Sequence, residues 1–186
     1  MDRTRERITR AAIELHGSVG PAATTMSAVA ERAGVTRATL YRHFANEAAL
    51  FTACSADWLA QNPRPDVARW AAISDPVLRL GTALEELYAY NRSTEQMRAN
   101  LLRDIAALPA AIRSGTTAFP SAAVVVLEPG WPELRDAHLR RAAIGHAVAF
   151  ETWRSLAGQG LTDKDAAGLM VRLVTSVASR SGPALA

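Results

Sequence analysis

One stretch of sixteen residues, TRATLYRHFANEAALF, constrains the fold of this chain more than any other. It runs from Thr36 to Phe51 and contains two arginines, a tyrosine and a histidine beside apolar side chains. Leu40 and Phe44 lie four positions apart, so on a helix they share one face. That face predicts burial against a small core, whereas the cationic and planar side chains of the opposite face stay available to a polyanion.

Two short helices joined by a glycine-containing turn are predicted around this stretch. Thr24 and Thr25 are both placed to cap a helix over Met26 to Ala33, and Thr36 is placed to cap a second one. Gly34 between them tolerates positive φ, and Ala30, four residues earlier, is small enough for the two helices to cross closely. This combination predicts a helix-turn-helix.

A further helix is predicted on each side of this pair. Residues 3–18 carry one apolar stripe, formed by Ile8, Ala11, Ala12 and Leu15. Gly17, Gly20 and Pro21 are expected to end this helix, and Asn46 is a good N-cap for the helix after the pair. The arginines of the first helix are interpreted as a solvated face, formed by Arg3, Arg5, Arg7 and Arg10.

Composition and charge set loose limits on function. The 186 residues are 49% hydrophobic and 21% charged, as in a globular protein without an apolar run of membrane-spanning length. The first ten residues alternate in charge and resemble no signal peptide, so a cytoplasmic location and no membrane partner are expected. The first 50 residues contain seven arginines and five carboxylates. This small excess of positive charge is compatible with DNA contact but does not establish it.

Catalytic and metal-binding motifs are missing from the sequence. It contains no G-x-S-x-G, G-x-G-x-x-G, phosphate-binding loop or H-E-x-x-H motif. Its four histidines do not combine with the single cysteine, Cys54, at a metal-ligand spacing. Cys54 is expected to be a small buried side chain, and the sequence predicts no catalytic residue, no metal site and no cofactor.

The segments RERITRAAIEL, TTMSAVAERAGVTRATLYRHF and ANEAALF resemble the N-terminal DNA-binding domain of the TetR family of transcriptional regulators. The resemblance implies an all-α fold with two domains. A three-helix helix-turn-helix DNA-binding domain is expected over residues 1–50, followed over residues 51–186 by a larger helical domain for effector binding and dimerisation.

The resemblance also implies which residues contact DNA, namely Thr25, Ser27, Thr36, Arg37, Ala38, Tyr41, Arg42 and His43. Thr25 would help to hold a phosphate, Tyr41 and His43 would contact the backbone, and Arg37 would read a guanine. Two residues depart from the family pattern. Glu47 replaces a usual lysine or arginine, and His16 replaces a usual aromatic residue, which is expected to loosen the packing of the first helix.

The middle of the chain predicts further helices. Prolines within residues 59–76 indicate a connector, and residues 77–91 and 97–112 each show a helical apolar period. RSGTTAFPS, residues 113–121, predicts a loop. The run AAVVVLEPGWP, residues 122–132, is compatible with a strand or a buried helix end, and the helical context favours a helix.

Two apolar helices near the C-terminus predict a homodimer. Residues 139–157 repeat apolar positions at alternating spacings of four and three, as in a coiled-coil seam. A pair of such helices suits a four-helix bundle between two copies, and the resemblance implies the same assembly. The expected interface consists of Leu139, Ala143, His146, Phe150, Trp153, Ala157, Leu169, Met170, Leu173, Val174 and Val177.

The resemblance implies a small-molecule effector in the larger domain. Its candidate lining is Trp70, Leu84, Tyr88, Met97, Leu101, Ile105, Phe119, Trp131, His146, Phe150 and Trp153, although such side chains at helical spacing are more often plain core than ligand contacts. The predicted function is a dimeric repressor that binds palindromic double-stranded operator DNA and is released by an unidentified ligand. The alternative is a helical dimeric ligand-binding or adaptor protein with weakened DNA binding, which Glu47 keeps open.

Overall fold

The structure, a computed structural model, describes residues 2–132 and 137–179. Within these residues the fold is all-α and contains no strand, as the sequence predicts. The α-helices in the described residues are α1 (Arg3–Ser18), α2 (Met26–Arg32), α3 (Arg37–His43), α4 (Glu47–Gln61), α5 (Val67–Ala71), α6 (Pro76–Ser93), α7 (Glu95–Arg103), α8 (Ala110–Leu127), α9 (Ala137–Val148), α10 (Phe150–Gly158) and α11 (Asp163–Ser179). Short 3-10 turns occupy Pro21–Ala23 and Ile105–Ala107.

The described chain forms two compact units. The first unit contains Met1–Pro63 and Thr94–Thr116, and the second contains Arg64–Ser93 and Thr117–Ala186. The first unit therefore includes α1 to α4 together with α7 and the start of α8. The sequence-based division into residues 1–50 and 51–186 stays a prediction.

In the first unit, α7 is attached to the end of α1 by polar side chains. Asn100 Nδ2 donates hydrogen bonds to the carbonyls of His16, at 3.0 Å, and Gly17, at 2.8 Å. The Arg103 guanidinium donates to the Val19 carbonyl at 2.9 Å. Since the last carbonyls of a helix have no partner within the helix, these donors satisfy the C-terminal end of α1.

The turn after α1 is closed by the same segment. The Asp104 carboxylate accepts a hydrogen bond from the Ala22 amide at 3.1 Å and pairs with Arg103 at 2.7 Å. Gly20 has φ +96°, and a Cβ there would overlap the side chains of Arg103 and Asp104. Glycine is therefore favoured at this position by its backbone conformation, and a side chain there would also displace the ends of Arg103 and Asp104. Leu108, which is 2% exposed, packs in the hydrophobic core of the first unit with Ile8 and Leu40.

The second unit has α6 at its centre, packed against α9, α10 and α11. Its largest fully buried side chains include Trp70, Tyr88 and Trp153. The Tyr88 hydroxyl donates to the Ala147 carbonyl at 2.8 Å, and Trp153 Nε1 donates to Asp163 at 2.9 Å. The predicted helix over residues 77–91 is confirmed as α6.

The predicted loop over residues 113–121 is wrong, because these residues lie within α8. The hydroxyls of Thr116 and Ser121 bond to carbonyls four residues earlier and so do not compete with the helix. In the second unit the Phe119 ring packs edge-on to Trp70, with centroids 6.4 Å apart, and Leu127 is fully buried. Packing of the apolar side of α8 thus overrides the local preference of a segment that contains Pro120.

Two other predicted helices are interrupted. The helix predicted over residues 97–112 ends at Arg103, and Leu108 is extended, with ψ 147°, immediately before a proline. The seam predicted over residues 139–157 is divided at Ala149, whose ψ of 138° separates α9 from α10. The helix favoured over residues 122–132 is confirmed as far as Leu127.

One α-helix among the described residues has the length and hydropathy expected of a membrane span. α8 has 18 residues and a mean hydropathy of 1.3, and 17% of them are buried in the chain. By length and composition this helix, found among the described residues, is long enough to cross a membrane, but a single helix of this kind is weak evidence of a span.

Candidate nucleic-acid interface

The helix-turn-helix consists of two seven-residue helices, α2 and α3, each capped by a threonine. Thr25 Oγ1 accepts a hydrogen bond from the Ala28 amide, and Thr36 Oγ1 accepts one from the Thr39 amide, both at 3.1 Å. Gly34 lies in the turn with φ +62°, a conformation that favours glycine. The predicted caps and turn are confirmed.

Helix α3 has one buried face and one exposed face. Leu40 is fully buried, and Phe44, the residue after the helix, is buried beside it in the core of the first unit. The guanidinium of Arg37 lies 6.0 Å from the centre of the Tyr41 ring, within range of a cation–π contact. The exposed face presents Arg37, Ala38, Tyr41 and Arg42.

His43 is turned toward the start of α1. Its Nδ1 lies 3.1 Å from Asp2 Oδ2, and its side chain is 15% exposed. Asp2 also caps α1 by accepting hydrogen bonds from the amides of Thr4 and Arg5. Desolvation raises the pKa of the Asp2 carboxyl, but these two hydrogen bonds and the charge of His43 outweigh it, so the pKa lies below its usual value.

Two arginines of α1 that the sequence suggested were simply solvated have defined partners. Arg7 Nη2 donates to the carbonyls of Ala33, at 2.5 Å, and Gly34, at 3.2 Å. Arg5 Nη1 donates to the His43 carbonyl at 2.9 Å. Both arginines therefore bond to backbone at the ends of α2 and α3. No local pattern indicates this, because their partners are 26 to 38 residues away.

His16 does not loosen α1, contrary to expectation. Its ring stacks on Phe51 with centroids 4.5 Å apart, and its Nδ1 lies 3.6 Å from Cys54 Sγ. Burial lowers the pKa of His16 to about 4, so the ring is neutral at pH 7. Burial also raises the pKa of the Cys54 thiol to about 12, and this cysteine is the small buried side chain that was predicted.

The remaining DNA-contact candidates lie at the starts of helices. Thr25, Ser27 and Thr36 are exposed there. Glu47 occupies the first turn of α4, where Asn46 Oδ1 accepts a hydrogen bond from the Ala49 amide at 2.9 Å. The helix dipole favours a carboxylate at this end, but the same carboxylate repels phosphate.

The helix-turn-helix region is similar to that of known regulators. The family model for bacterial regulatory proteins of the tetR family matches residues 8–54. A TetR-like transcriptional regulator from Rhodococcus sp. RHA1 has 20% identity and a TM-score of 0.70, over 97% of this chain and 98% of that one. The chain has the fold of a TetR-family transcriptional regulator.

Other solved structures, among them the TetR-family regulator PfmR, share this fold over nearly the whole chain. The regulator PfmR from Thermus thermophilus has 17% identity and a TM-score of 0.61, over 95% of this chain and 100% of that one. AibR, in complex with isovaleryl coenzyme A and operator DNA, has 23% identity and a TM-score of 0.65, over 92% and 97%. No curated protein sequence matches the chain significantly. The resemblance predicted from the sequence is confirmed.

The structure divides the predicted effector-contact residues of this TetR-like chain between the two units. Met97, Leu101 and Ile105 belong to the first unit, where Leu101 and Ile105 pack against the helix-turn-helix core. The second unit contains Trp70, Leu84, Tyr88, Phe119, Trp131, His146, Phe150 and Trp153. Most of these are buried, whereas His146 is exposed beside the Thr152 hydroxyl, at 3.3 Å.

The predicted dimer residues also differ in exposure. Phe150, Trp153, Met170 and Val174 are buried within the chain itself. Leu139 and Leu173 are each 49% exposed, although both are large and apolar. Ala143, Ala157, Leu169 and Val177 are half-buried. Of the predicted interface residues, Leu139 and Leu173 are therefore the large apolar side chains that the chain leaves exposed.

Proposed function

We propose that this chain is a sequence-specific DNA-binding transcriptional regulator. One observation carries the proposal: Leu40 and Phe44 fix α3 to the core while Arg37, Tyr41 and Arg42 stay exposed on its other face. A short helix held in this way can enter a major groove and place its side chains on base edges.

The exposed face of α3 supplies the base contacts in this proposal. Arg37 reads a guanine through a two-pronged hydrogen bond, and Ala38 and Arg42 lie beside it. Thr25 contacts phosphate together with the first amides of α2, and Ser27 contacts DNA beside it. Thr36 faces base edges from the start of α3. Tyr41 contacts the backbone.

His43 has a smaller direct role in this proposal. Its side chain is mostly covered and pairs with Asp2, so a backbone contact requires that it leave this carboxylate. In this proposal His43 contributes mainly to the position of α3, because its carbonyl accepts the hydrogen bond from Arg5.

The active form in this proposal is a homodimer on a palindromic operator. Two copies pair through α9, α10 and α11, with Leu139 and Leu173 at the contact. Two-fold pairing places the two recognition helices on half-sites about 34–36 Å apart. Sedimentation of the wild type and of Leu173→Glu tests this step, since the charge should shift the dimer toward monomer.

The effector is a small molecule bound in the second unit, and its binding releases the repressor from DNA. AibR, whose structure contains isovaleryl coenzyme A and operator DNA, supports an effector-controlled function for this fold. The cytoplasm, where operator DNA lies, is the proposed location.

Titration of fluorescent duplexes tests DNA binding directly. The chain is titrated onto DNA from upstream of its own coding region and onto a scrambled duplex, at salt concentrations between about 50 and 200 mM. The proposal predicts tighter binding to the first duplex and a steep fall in affinity with salt. Arg37→Ala should reduce the preference by about tenfold or more, because one good guanine contact is worth about 1–3 kcal/mol.

Arg69→Ala is the matched control, because Arg69 is an exposed arginine of the second unit. It should leave the preference unchanged. Equal, weak binding of the wild type to both duplexes would reject the proposal and favour a dimeric ligand-binding or adaptor protein, in which Glu47 has weakened DNA contact.

A further inference from the structure

The first two turns of α1 hold the ends of both helices of the helix-turn-helix. Arg7 donates to the Ala33 and Gly34 carbonyls after α2, and Arg5 donates to the His43 carbonyl at the end of α3. Both arginines precede residues 8–54, the part of the chain that matches the family model.

The chemistry of these contacts favours the positions that the helices adopt. The last carbonyls of a helix lack partners within the helix and carry partial negative charge. A guanidinium supplies both a positive charge and several N–H donors in a rigid plane. Arg7 spans two successive carbonyls with one nitrogen, so it fixes the turn that contains Gly34 as well as the end of α2.

The last turn of α3 is attached to α1 at two further points. The guanidinium of Arg5 lies 4.2 Å from the centre of the Phe44 ring, which is itself almost fully buried. The imidazole of His43 pairs with Asp2, the N-cap of α1. Backbone, ring and side-chain contacts therefore hold one end of α3 against the start of α1.

We propose that Arg5 and Arg7 are positioning residues that set the orientation of the recognition helix α3. They act on sequence discrimination through the ends of α2 and α3, and not by neutralising DNA phosphates. The inference rests on the proposed DNA-binding function.

Two other arginines of the same helix provide matched controls. Arg3 and Arg10 are exposed, and neither side chain forms a hydrogen bond or ion pair with the described part of the chain. The four variants Arg3→Gln, Arg5→Gln, Arg7→Gln and Arg10→Gln remove the same charge from one helix. They differ in whether a helix end loses its donor.

The test compares binding of the four full-length variants to the upstream and scrambled duplexes across the salt range. Arg5→Gln and Arg7→Gln should each lower the ratio of specific to non-specific affinity by about tenfold, while the slope of log affinity against log salt stays unchanged. Arg3→Gln and Arg10→Gln should leave the ratio at its wild-type value. Arg5→Lys, which keeps a cationic donor, should restore part of the ratio.

A fall of about one in the salt slope with an unchanged ratio would identify a phosphate contact and overturn the proposal. An unchanged ratio with a lower melting temperature would overturn it too, because it would indicate a contribution to stability alone. If a glutamine variant does not fold, Arg5→Lys and Arg7→Lys replace it in the comparison. Each should still lower the ratio of specific to non-specific affinity, by less than tenfold, and a wild-type ratio in both would count against the proposal.

Hydrogen exchange gives a readout that needs no DNA. The Phe44 amide donates to the Leu40 carbonyl at the end of α3. Arg5→Gln should speed its exchange relative to Arg3→Gln, and equal rates would contradict the positioning role. If the wild type shows no sequence preference, the proposed function fails, whereas this exchange result still decides whether Arg5 holds α3.

Discussion

The two units satisfy their buried polar groups differently. In the first unit, Asn100 is 2% exposed and its amide donates to two carbonyls of α1. In the second unit, Asn91 is fully buried, and neither atom of its amide has a partner within residues 2–132 and 137–179. In the same unit, the buried Nε atoms of Arg79 and Arg140 also have no hydrogen-bond partner in the described part of the chain.

This difference shows which part of the molecule depends on polar contacts. Each hydrogen bond to a buried group contributes about 0.5–1.5 kcal/mol, and leaving such a group unpaired costs about 1–3 kcal/mol. Polar side chains therefore attach α7 to α1 in the first unit, whereas in the second unit apolar packing must outweigh the unpaired amide of Asn91. Four experiments test this contrast.

Removing residues 94–116 from the first unit should have the largest effect. A fragment of residues 1–63 loses Asn100, Arg103 and the buried Leu108, so it should show no cooperative unfolding transition. Truncation of one buried leucine already costs about 2–5 kcal/mol. Thermal and urea unfolding, followed by circular dichroism, measure this. The peptide 94–116 added in trans is the control, and an undiminished transition in its absence would refute the assembly described for the first unit.

The buried histidine of the first unit should make its stability depend on pH. The pKa of His16 is lowered from 6.5 to about 4, so the unfolded chain binds more protons between these values. The free energy of unfolding should therefore be complete above about pH 6.5 and fall by about 3 kcal/mol as pH decreases to about 4.

His16→Phe removes this titration while it keeps a ring against Phe51. Urea unfolding of the wild type and the variant at several pH values isolates the histidine from the carboxyl groups, which titrate in both. Parallel pH profiles for the two proteins would show that His16 is not the group responsible.

The two buried asparagines provide the most direct comparison between the units. Asn100→Leu should lower the free energy of unfolding by about 1–3 kcal/mol, because two carbonyls of α1 lose their donor. Asn91→Leu should be neutral or stabilising, since it removes an amide without partners in the described part of the chain. Chemical denaturation of both variants measures the difference. Equal losses at the two positions would show that the Asn91 amide is hydrogen-bonded in solution.

Removing a helix cap should give the smallest loss in the free energy of unfolding, and the loss should again differ between the two units. Thr36→Ala removes the cap of a seven-residue helix and should cost about 1 kcal/mol, whereas Thr36→Ser should cost little. Thr162 bonds to the Asp165 amide at 3.1 Å before the 17-residue α11, which can fray by one turn without unfolding. Thr162→Ala should therefore cost only a few tenths of a kcal/mol, and a larger loss there than at Thr36 would contradict this reasoning.

The four N-terminal helices, α1 to α4, could be predicted because their signals are local. Each of Thr25, Thr36 and Asn46 bonds to an amide three residues later, and Gly34 permits the turn at its own position. Asp2 acts in the same way at α1, although only the helix and not this cap was predicted.

The errors in the second half of the chain have a common cause. Pro120 and its polar neighbours predict a loop, yet the buried side of α8 keeps them helical. The apolar seam predicts a continuous helix through Ala149, but the helix is interrupted there. The hydroxyl of Tyr88 donates to the carbonyl of Ala147, which lies 59 residues further along the chain. Local propensity is a weak guide where long-range packing decides.

The sequence by itself determined the all-α class, the four N-terminal helices with the caps of α2, α3 and α4, and the exposed face of α3 on which the resemblance to TetR regulators rests. Caps, turns and helical periodicity act over about four residues, so they can be seen in the chain itself. Only the tertiary structure decided that Thr94–Thr116 joins the N-terminal helices and that Arg5 and Arg7 bond to the ends of α2 and α3. These contacts join residues tens of positions apart, and no local pattern encodes which carbonyl a distant donor will meet.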